Sequence, residues 1–158
     1  MARALSLISF PLMLSADVTL PSIIGSNMVL QADKPVPIWG KAEPGERVGV
    51  KFRGEDVATT TNPDGTWRVL LPEMSASAVG EDLTVSGRTQ ITLTNVIVGE
   101  VWLCSGQSNM GWPVNRSDDA EDEIARADYP SIRLFAVKHA IAEDSPNWDC
   151  EGRWVECA

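Results

Sequence analysis

The sequence predicts an antiparallel β-sandwich followed by the first β-α-β unit of an α/β domain. From about Val18 to Asn95, apolar and polar residues alternate and turn residues recur at short intervals, which is typical of a sandwich. From Val96 to Cys104 the sequence is almost continuously apolar, as expected of a strand covered on both faces in a parallel sheet. We therefore assign residues 17–95 to the sandwich and residues 96–158 to the start of an incomplete α/β domain.

Length, composition and charge restrict the possible functions. The chain has 158 residues, of which 44% are apolar and 22% charged, as in globular proteins of one ordinary domain or two small ones. The formal net charge is -9, whereas binding to nucleic acid or to anionic lipid requires a surplus of Lys and Arg. We expect neither partner, and no pattern predicts a metal ion or another cofactor.

The first 16 residues have the sequence of charged, apolar and small residues that is typical of a secretory signal peptide. Met1 to Arg3 gives a positive start, Ala4 to Leu14 is mainly apolar, and the small residue Ala16 precedes polar sequence. The run is too short to span a bilayer. We expect export to a periplasmic or extracellular location; the alternative is a buried N-terminal strand or helix.

Two segments carry the clearest strand pattern of the sandwich. In Arg47 to Arg53, alternation places Val48, Val50 and Phe52 on one face of a strand. Trp67 to Leu71 follows the same period of two. The turn sequence Asn62-Pro63-Asp64-Gly65 lies between them, so a hairpin is predicted. Further strands are predicted at Pro35 to Trp39, Leu83 to Val85 and Gln90 to Thr94.

The β-α-β unit is predicted from the order of patterns after Val96. The apolar strand ends at a loop, Ser105 to Met110. Asp118 and Glu121 have the spacing of a capping box, and Ile132 to Ala136 alternates as a second strand. The apolar stripe of the intervening helix is Ala120, Ile124 and Ala127.

The three cysteines have neither metal-site spacing nor the number that a disulfide framework needs. Cys150 and Cys157 are a possible pair in an oxidising compartment. Cys104 ends an apolar run and is predicted to be a buried small hydrophobe.

Ser108 is the leading candidate for a catalytic residue. It follows the carboxyl end of a predicted interior strand and precedes a helix, where open α/β sheets bind their ligands. A tight strand-to-helix turn projects a hydroxyl and directs backbone N–H groups at a developing oxyanion. Gly106 would permit close approach of a substrate. Ser and Asn are also ordinary turn residues, so a turn without catalytic function is the alternative.

The segment Gly99 to Met110, GEVWLCSGQSNM, resembles the nucleophile segment of the sialate O-acetylesterase family, which belongs to the SGNH hydrolases. The similarity continues through Tyr129 to Phe135. Upstream, further segments resemble the amino-terminal β domain of that family: Asn27 to Gln31, Pro37 to Gly40 and Gly65 to Trp67.

The resemblance implies a serine esterase that removes acetyl groups from a carbohydrate, which is either a sialic acid or a plant or bacterial polysaccharide. Ser108 would be the nucleophile, and its backbone N–H would form part of the oxyanion hole. Gln107, Asn109 and Trp112 are the candidate substrate-binding residues. Trp112 lies four residues from Ser108 in a loop, whereas Trp102 fits an inward-facing strand position and is predicted to be a core residue.

The sequence also departs from the family. The late Asp and His of the family have no match, and the sole histidine, His139, follows a predicted strand too early to be that base. The resemblance therefore implies an amino-terminal piece of an esterase, with little activity alone and with apolar surface exposed around Val101 to Leu103. The alternatives are an esterase acting on acetylated xylan and a non-catalytic carbohydrate-binding or structural module.

Overall fold

The computed structural model describes residues 17–141 and 146–157. The predicted signal peptide, residues 1–16, lies outside the described residues. Within them the chain is mostly β-strand, with one short α-helix, α1 (Ala120–Arg126), and two 3₁₀ turns, Ser108–Gly111 and Val114–Arg116. The strands are β1 (Val29–Gln31), β2 (Val36–Lys41), β3 (Arg47–Phe52), β4 (Glu55–Thr60), β5 (Thr66–Leu71), β6 (Ser77–Ser86), β7 (Gln90–Gly99), β8 (Tyr129–Phe135) and β9 (Trp154–Cys157).

Two sheets enclose the core. The larger sheet has the order β1-β7-β6-β3-β4 and the smaller pairs β2 with β5. Among the described strands, only β1 and β7 pair in parallel. The predicted alternation on β3 and β5 is confirmed, since one face of each strand is buried. Both sheets contribute side chains to the same core cluster, which includes Ile38, Trp67 and Leu71 from the smaller sheet and Val48, Val50, Leu83 and Val85 from the larger.

The predicted hairpin is wrong in its strand pairing. β3 pairs with β4 across a turn in which Arg53 and Gly54 both have positive φ, as type I′ hairpin turns require. β4 is largely polar, so its sequence gives no alternation. The segment Asn62 to Gly65 instead carries the chain from β4 to β5, which belongs to the other sheet.

The apolar run from Val96 to Cys104 is not one interior strand of a parallel sheet. Its first part, Val96 to Val98, lies in β7 and is buried in the sandwich core. The chain leaves the sheet after Gly99, and Val101 to Leu103 are exposed. Trp102 is 83% and Leu103 94% exposed, so the prediction that Trp102 is a core residue is wrong. Cys104 is also exposed, so its predicted burial is wrong. No described strand pairs with this second part, and the side chains of Trp102 and Leu103 remain mostly exposed.

The described residues do not form the predicted β-α-β unit. α1 follows β7 in sequence, but β8 pairs antiparallel with β9 in a sheet that does not contain β7. The capping box is also absent, because α1 begins after Asp119 and no side chain caps it. Ile124, predicted to face a core, is 53% exposed, since this short helix has no covering layer.

The hairpin of β8 and β9 is held against the sandwich by a group of polar side chains that we call the clasp: Asn27, Asn95, Arg133 and Glu156. Arg133, whose side chain is only 4% exposed, forms an ion pair with Glu156 and donates to Asn95 Oδ1 at 3.3 Å. Asn95 Nδ2 donates to Glu156 Oε1 and to Asn27 Oδ1, both at 2.7 Å. The clasp thus pairs the two terminal nitrogens of a nearly buried guanidinium at the junction, whereas the Arg133 Nε is buried without a hydrogen-bond partner among the described residues.

Apolar and polar contacts beside the clasp strengthen this junction. Trp154 packs against the sandwich core, and its Nε1 donates to the Ile23 carbonyl at 2.7 Å. The carboxylate of Asp149 accepts from the backbone N–H and the hydroxyl of Ser22, at 2.7 and 3.1 Å. The predicted inward face of β8 is wrong by one residue, because Arg133 and Phe135 are the more buried positions.

Gly40 occupies a position where no larger side chain fits, and we expect Gly40→Ala to destabilise the sandwich by about 3 kcal/mol. Gly40 lies opposite Trp67 in the β2–β5 ladder. An added Cβ would lie 2.8 Å from Trp67 Cζ2 and would also meet the Thr19 carbonyl oxygen, which accepts from the Lys41 N–H at 2.9 Å. Urea unfolding measures the change.

Gly111→Ala is the matched control for this prediction. A Cβ at Gly111 would meet nothing within 4 Å, so the free energy of unfolding should change by less than about 0.5 kcal/mol. Equal stability of the two variants would contradict the packing argument.

Candidate active site

Ser108 begins a 3₁₀ turn in the segment that follows β7. The Met110 N–H donates to the Gln107 carbonyl at 2.9 Å, and the Trp112 N–H donates to the Asn109 carbonyl at 3.2 Å. Gly106 lies against Met110, because a Cβ there would lie 2.7 Å from Met110 Cγ. A larger residue at this position would force the Met110 side chain to move.

The candidate nucleophile is accessible to solvent. Ser108 is exposed, and neither its hydroxyl nor its backbone N–H forms a hydrogen bond with another described residue. As the first residue of the turn, Ser108 has an N–H with no carbonyl acceptor one turn earlier. A hydroxyl and an unpaired N–H on one exposed residue are two of the groups that acyl transfer uses.

The three candidate substrate-binding residues lie in the same turn as Ser108. Gln107, Asn109 and Trp112 are all exposed. The indole Nε1 of Trp112 donates to the Arg116 carbonyl at 3.1 Å, which ties the ring to the second 3₁₀ turn. Trp112 nevertheless remains 62% exposed, so its ring is available to a ligand.

No described residue serves Ser108 as a general base. His139 is exposed in the segment after β8, and no hydrogen bond joins it to Ser108. In the part of the chain that the structure describes, no group of His, Cys, Asp and Glu is arranged to hold a metal ion. Among these same residues, no helix has the length and apolar character needed to cross a bilayer.

The thiols of Cys104, Cys150 and Cys157 are all free. The disulfide considered for Cys150 and Cys157 is therefore not formed. Cys104 lies just upstream of the Ser108 turn and is exposed, because the segment from Val101 onward lies outside the sheets.

Comparison with known proteins finds homologues of the chain. No family model matches the chain. Sialate O-acetylesterase from Mus musculus is 35% identical over 135 residues, which cover 78% of this chain and 25% of that protein. The chain is homologous to the sialate O-acetylesterases. The Homo sapiens protein is 34% identical over 134 residues, covering 77% of this chain and 26% of its own length, so the chain spans about a quarter of these relatives.

A solved structure agrees with this homology. The crystal structure of a carbohydrate acetylesterase from Xanthomonas citri matches with a TM-score of 0.84 and 32% identity. The match covers 89% of this chain and 33% of the other. The resemblance of the sequence to the sialate O-acetylesterase family is confirmed, and the similarity extends to the fold.

Sequence reasoning missed two features that the structure brings together. The first is Arg133, which alternation assigns to the outer face of β8 although its side chain is only 4% exposed. The second is a groove on the smaller sheet that joins Trp39 to Trp148, residues 109 positions apart in the chain. Neither contact has a local signal, because both depend on the hairpin segment folding back onto the sandwich.

Proposed function

We propose that this chain carries the nucleophile of a carbohydrate O-acetylesterase whose substrate is an O-acetylated sialic acid. The observation that supports this most strongly is the 35% identity over 135 residues to a sialate O-acetylesterase. The exposed Ser108 turn supports it chemically, because an ester can reach the hydroxyl. Gln107, Asn109 and Trp112 surround the sugar in this proposal.

The reaction proceeds through an acetyl-enzyme. Ser108 Oγ attacks the carbonyl carbon of the acetyl group while a base accepts the hydroxyl proton. The Ser108 N–H donates to the oxyanion of the tetrahedral intermediate. The bond from the carbonyl carbon to the sugar oxygen then breaks, and that oxygen takes the proton. Water attacks the acetyl-enzyme, which releases acetate and restores the serine.

The base belongs to the portion of the relatives' length that this chain does not span. No described residue forms a hydrogen bond with the Ser108 hydroxyl, and the chain covers about a quarter of its relatives. The same portion supplies further strands, which complete a β-α-β layer and cover Val101 to Leu103 and α1. Residues 17–95 form the accompanying sandwich. Residues 1–16 direct export in this proposal.

The test compares the 158-residue chain with a protein extended to the full length of the relatives. The extended protein should release acetate from an O-acetylated sialic acid faster than from acetylated xylan fragments, while the chain alone should show less than about 1% of that rate. Preference for acetylated xylan would replace the proposed substrate. Full activity of the short chain would show that the base lies within it.

A further inference from the structure

The outer face of the smaller sheet carries a groove of about 520 Å³, a size within the usual range of ligand sites. Trp39 on β2 lies directly opposite Arg68 on β5, and Lys41 lies opposite Thr66 on the same face. Trp148, from the segment before β9, completes the groove. The groove shares no residue with the Ser108 turn. Its lining includes Pro37, Trp39, Asn62, Thr66, Arg68 and Trp148.

The groove combines aromatic surface with hydrogen-bonding groups. Trp39 is half-buried and packs against the core, which fixes its ring, while Trp148 is 40% exposed. Asn62, Thr66 and Arg68 add an amide, a hydroxyl and a guanidinium. Indole rings offer broad rigid apolar faces, which suit the C–H faces of a pyranose, whereas the polar groups suit its hydroxyls. The lining thus matches a sugar better than a fully apolar ligand.

The charges at the groove favour an acidic ligand. Lys41 Nζ lies 4.4 Å from the centroid of the Trp148 ring, a cation–π distance. Neither Lys41 nor Arg68 forms an ion pair with a described residue. The two side chains place positive charge on one face of a chain with a net charge of -9, and the charge of Lys41 also acts on Asp64.

The carboxylate of Asp64, which precedes Thr66 by two residues, is already engaged. Asp64 accepts from the Thr66 hydroxyl at 2.7 Å and from the Thr66 N–H at 2.9 Å. Both bonds lower the pKa of Asp64 below its ordinary value, and the bond from the Thr66 hydroxyl has the larger effect. The carboxylate therefore stays ionised, and its oxygens stay directed at Thr66. Arg68 is left to meet an incoming anion.

We propose that this groove binds an acidic saccharide, with the sugar ring against Trp39 and Trp148 and its carboxylate facing Arg68 and Lys41. The site would be a second glycan-binding site, located on the sandwich, that binds its ligand without hydrolysing it. Its occupancy requires no ester and no catalytic base, so its failure would leave the proposed acetylesterase activity untouched.

Calorimetric titration of the chain with N-acetylneuraminic acid and with its methyl ester tests the proposal. The chain carries Ser108→Ala so that no ester is turned over. The free acid should bind at least tenfold more tightly than the methyl ester, which keeps the ring and loses the charge. Trp148→Ala and Arg68→Gln should each weaken binding of the acid at least tenfold.

Matched controls keep the test specific. Trp102→Ala removes an exposed indole outside the groove, and Arg47→Gln removes an exposed guanidinium on β3; neither should change the affinity more than twofold. Circular dichroism confirms that each variant is folded. Absence of binding by the acid, equal binding of acid and ester, or equal loss in the control variants would overturn the proposal.

Discussion

Replacing Ser108 with alanine in the protein extended to the length of its relatives is expected to lower acetate release by about 10⁴-fold or more. The hydroxyl is the attacking group in the proposed mechanism, and alanine has no atom that can form the acetyl-enzyme. The Ser108 N–H remains in the variant, so substrate binding and oxyanion contacts should persist. The KM should therefore change much less than kcat, and steady-state kinetics on an O-acetylated sialic acid measures both.

Ser105→Ala provides the matched control for this substitution. Ser105 lies three residues upstream in the same exposed segment, so the change removes an equivalent hydroxyl from the same surroundings. Its rate should stay within about threefold of the unsubstituted protein, as for a surface change away from the reacting atoms. Retention of most of the rate by Ser108→Ala would remove this residue from the mechanism.

A stability effect as large as that of Gly40→Ala is expected for Glu156→Gln in the clasp. Arg133 is nearly buried, whereas its charged partner Glu156 is 37% exposed. Removing the carboxylate leaves the buried guanidinium uncompensated, at a cost of about 3 kcal/mol. The hairpin of β8 and β9 should then open more often from the sandwich. Amide exchange in Arg133 to Phe135 should accelerate by about 100-fold.

Glu151→Gln makes the same chemical change in an exposed pair. Lys138 and Glu151 form an ion pair at 2.8 Å with side chains 66% and 73% exposed, a setting in which such pairs contribute little. Exchange rates in β8 should change by less than about threefold. If the two glutamine variants behave alike, the clasp does not hold the hairpin.

Alternation was informative where a strand has one buried face and one exposed face. Val48, Val50 and Phe52 on β3 and Trp67, Val69 and Leu71 on β5 all lie in the core as predicted. The pairing of these strands was not predictable in the same way, because β4 has a polar sequence and gives no periodic signal. In the structure, the turn into β4 has positive φ values at Arg53 and Gly54. In the sequence, the only sign of this turn is the glycine.

Long-range contacts explain the other differences. The apolar run from Val96 to Cys104 reads as one strand, yet the sandwich uses only its first part and β7 ends at Gly99. On β8, the apolar Ile132 and Leu134 face outward while Arg133 faces inward, since Glu156 and Asn95 neutralise and bond it. Partners distant in sequence thus allow a charged residue to be buried. As a result, the inward face of β8 is the opposite of the one that hydrophobicity alone predicts.

For the candidate site, the sequence predicted the resemblance to the family but not the geometry of the turn. The segment around Ser108 is distinctive because of its residue order, and the homology to sialate O-acetylesterases confirms that resemblance. Its conformation follows from local needs, namely Gly106 beneath Met110 and the Trp112 bond to the Arg116 carbonyl. No local pattern reveals which residue activates the serine.

Covalent labelling of the extended protein with a fluorophosphonate, followed by peptide mass spectrometry, tests the assignment of the nucleophile most directly. An activated serine attacks phosphorus, loses its proton to the base and retains the phosphonyl group as fluoride leaves. We predict one adduct on Ser108, formed in parallel with the loss of acetate release. Inactivation with the adduct on any other residue, and with Ser108 unmodified, would contradict the account.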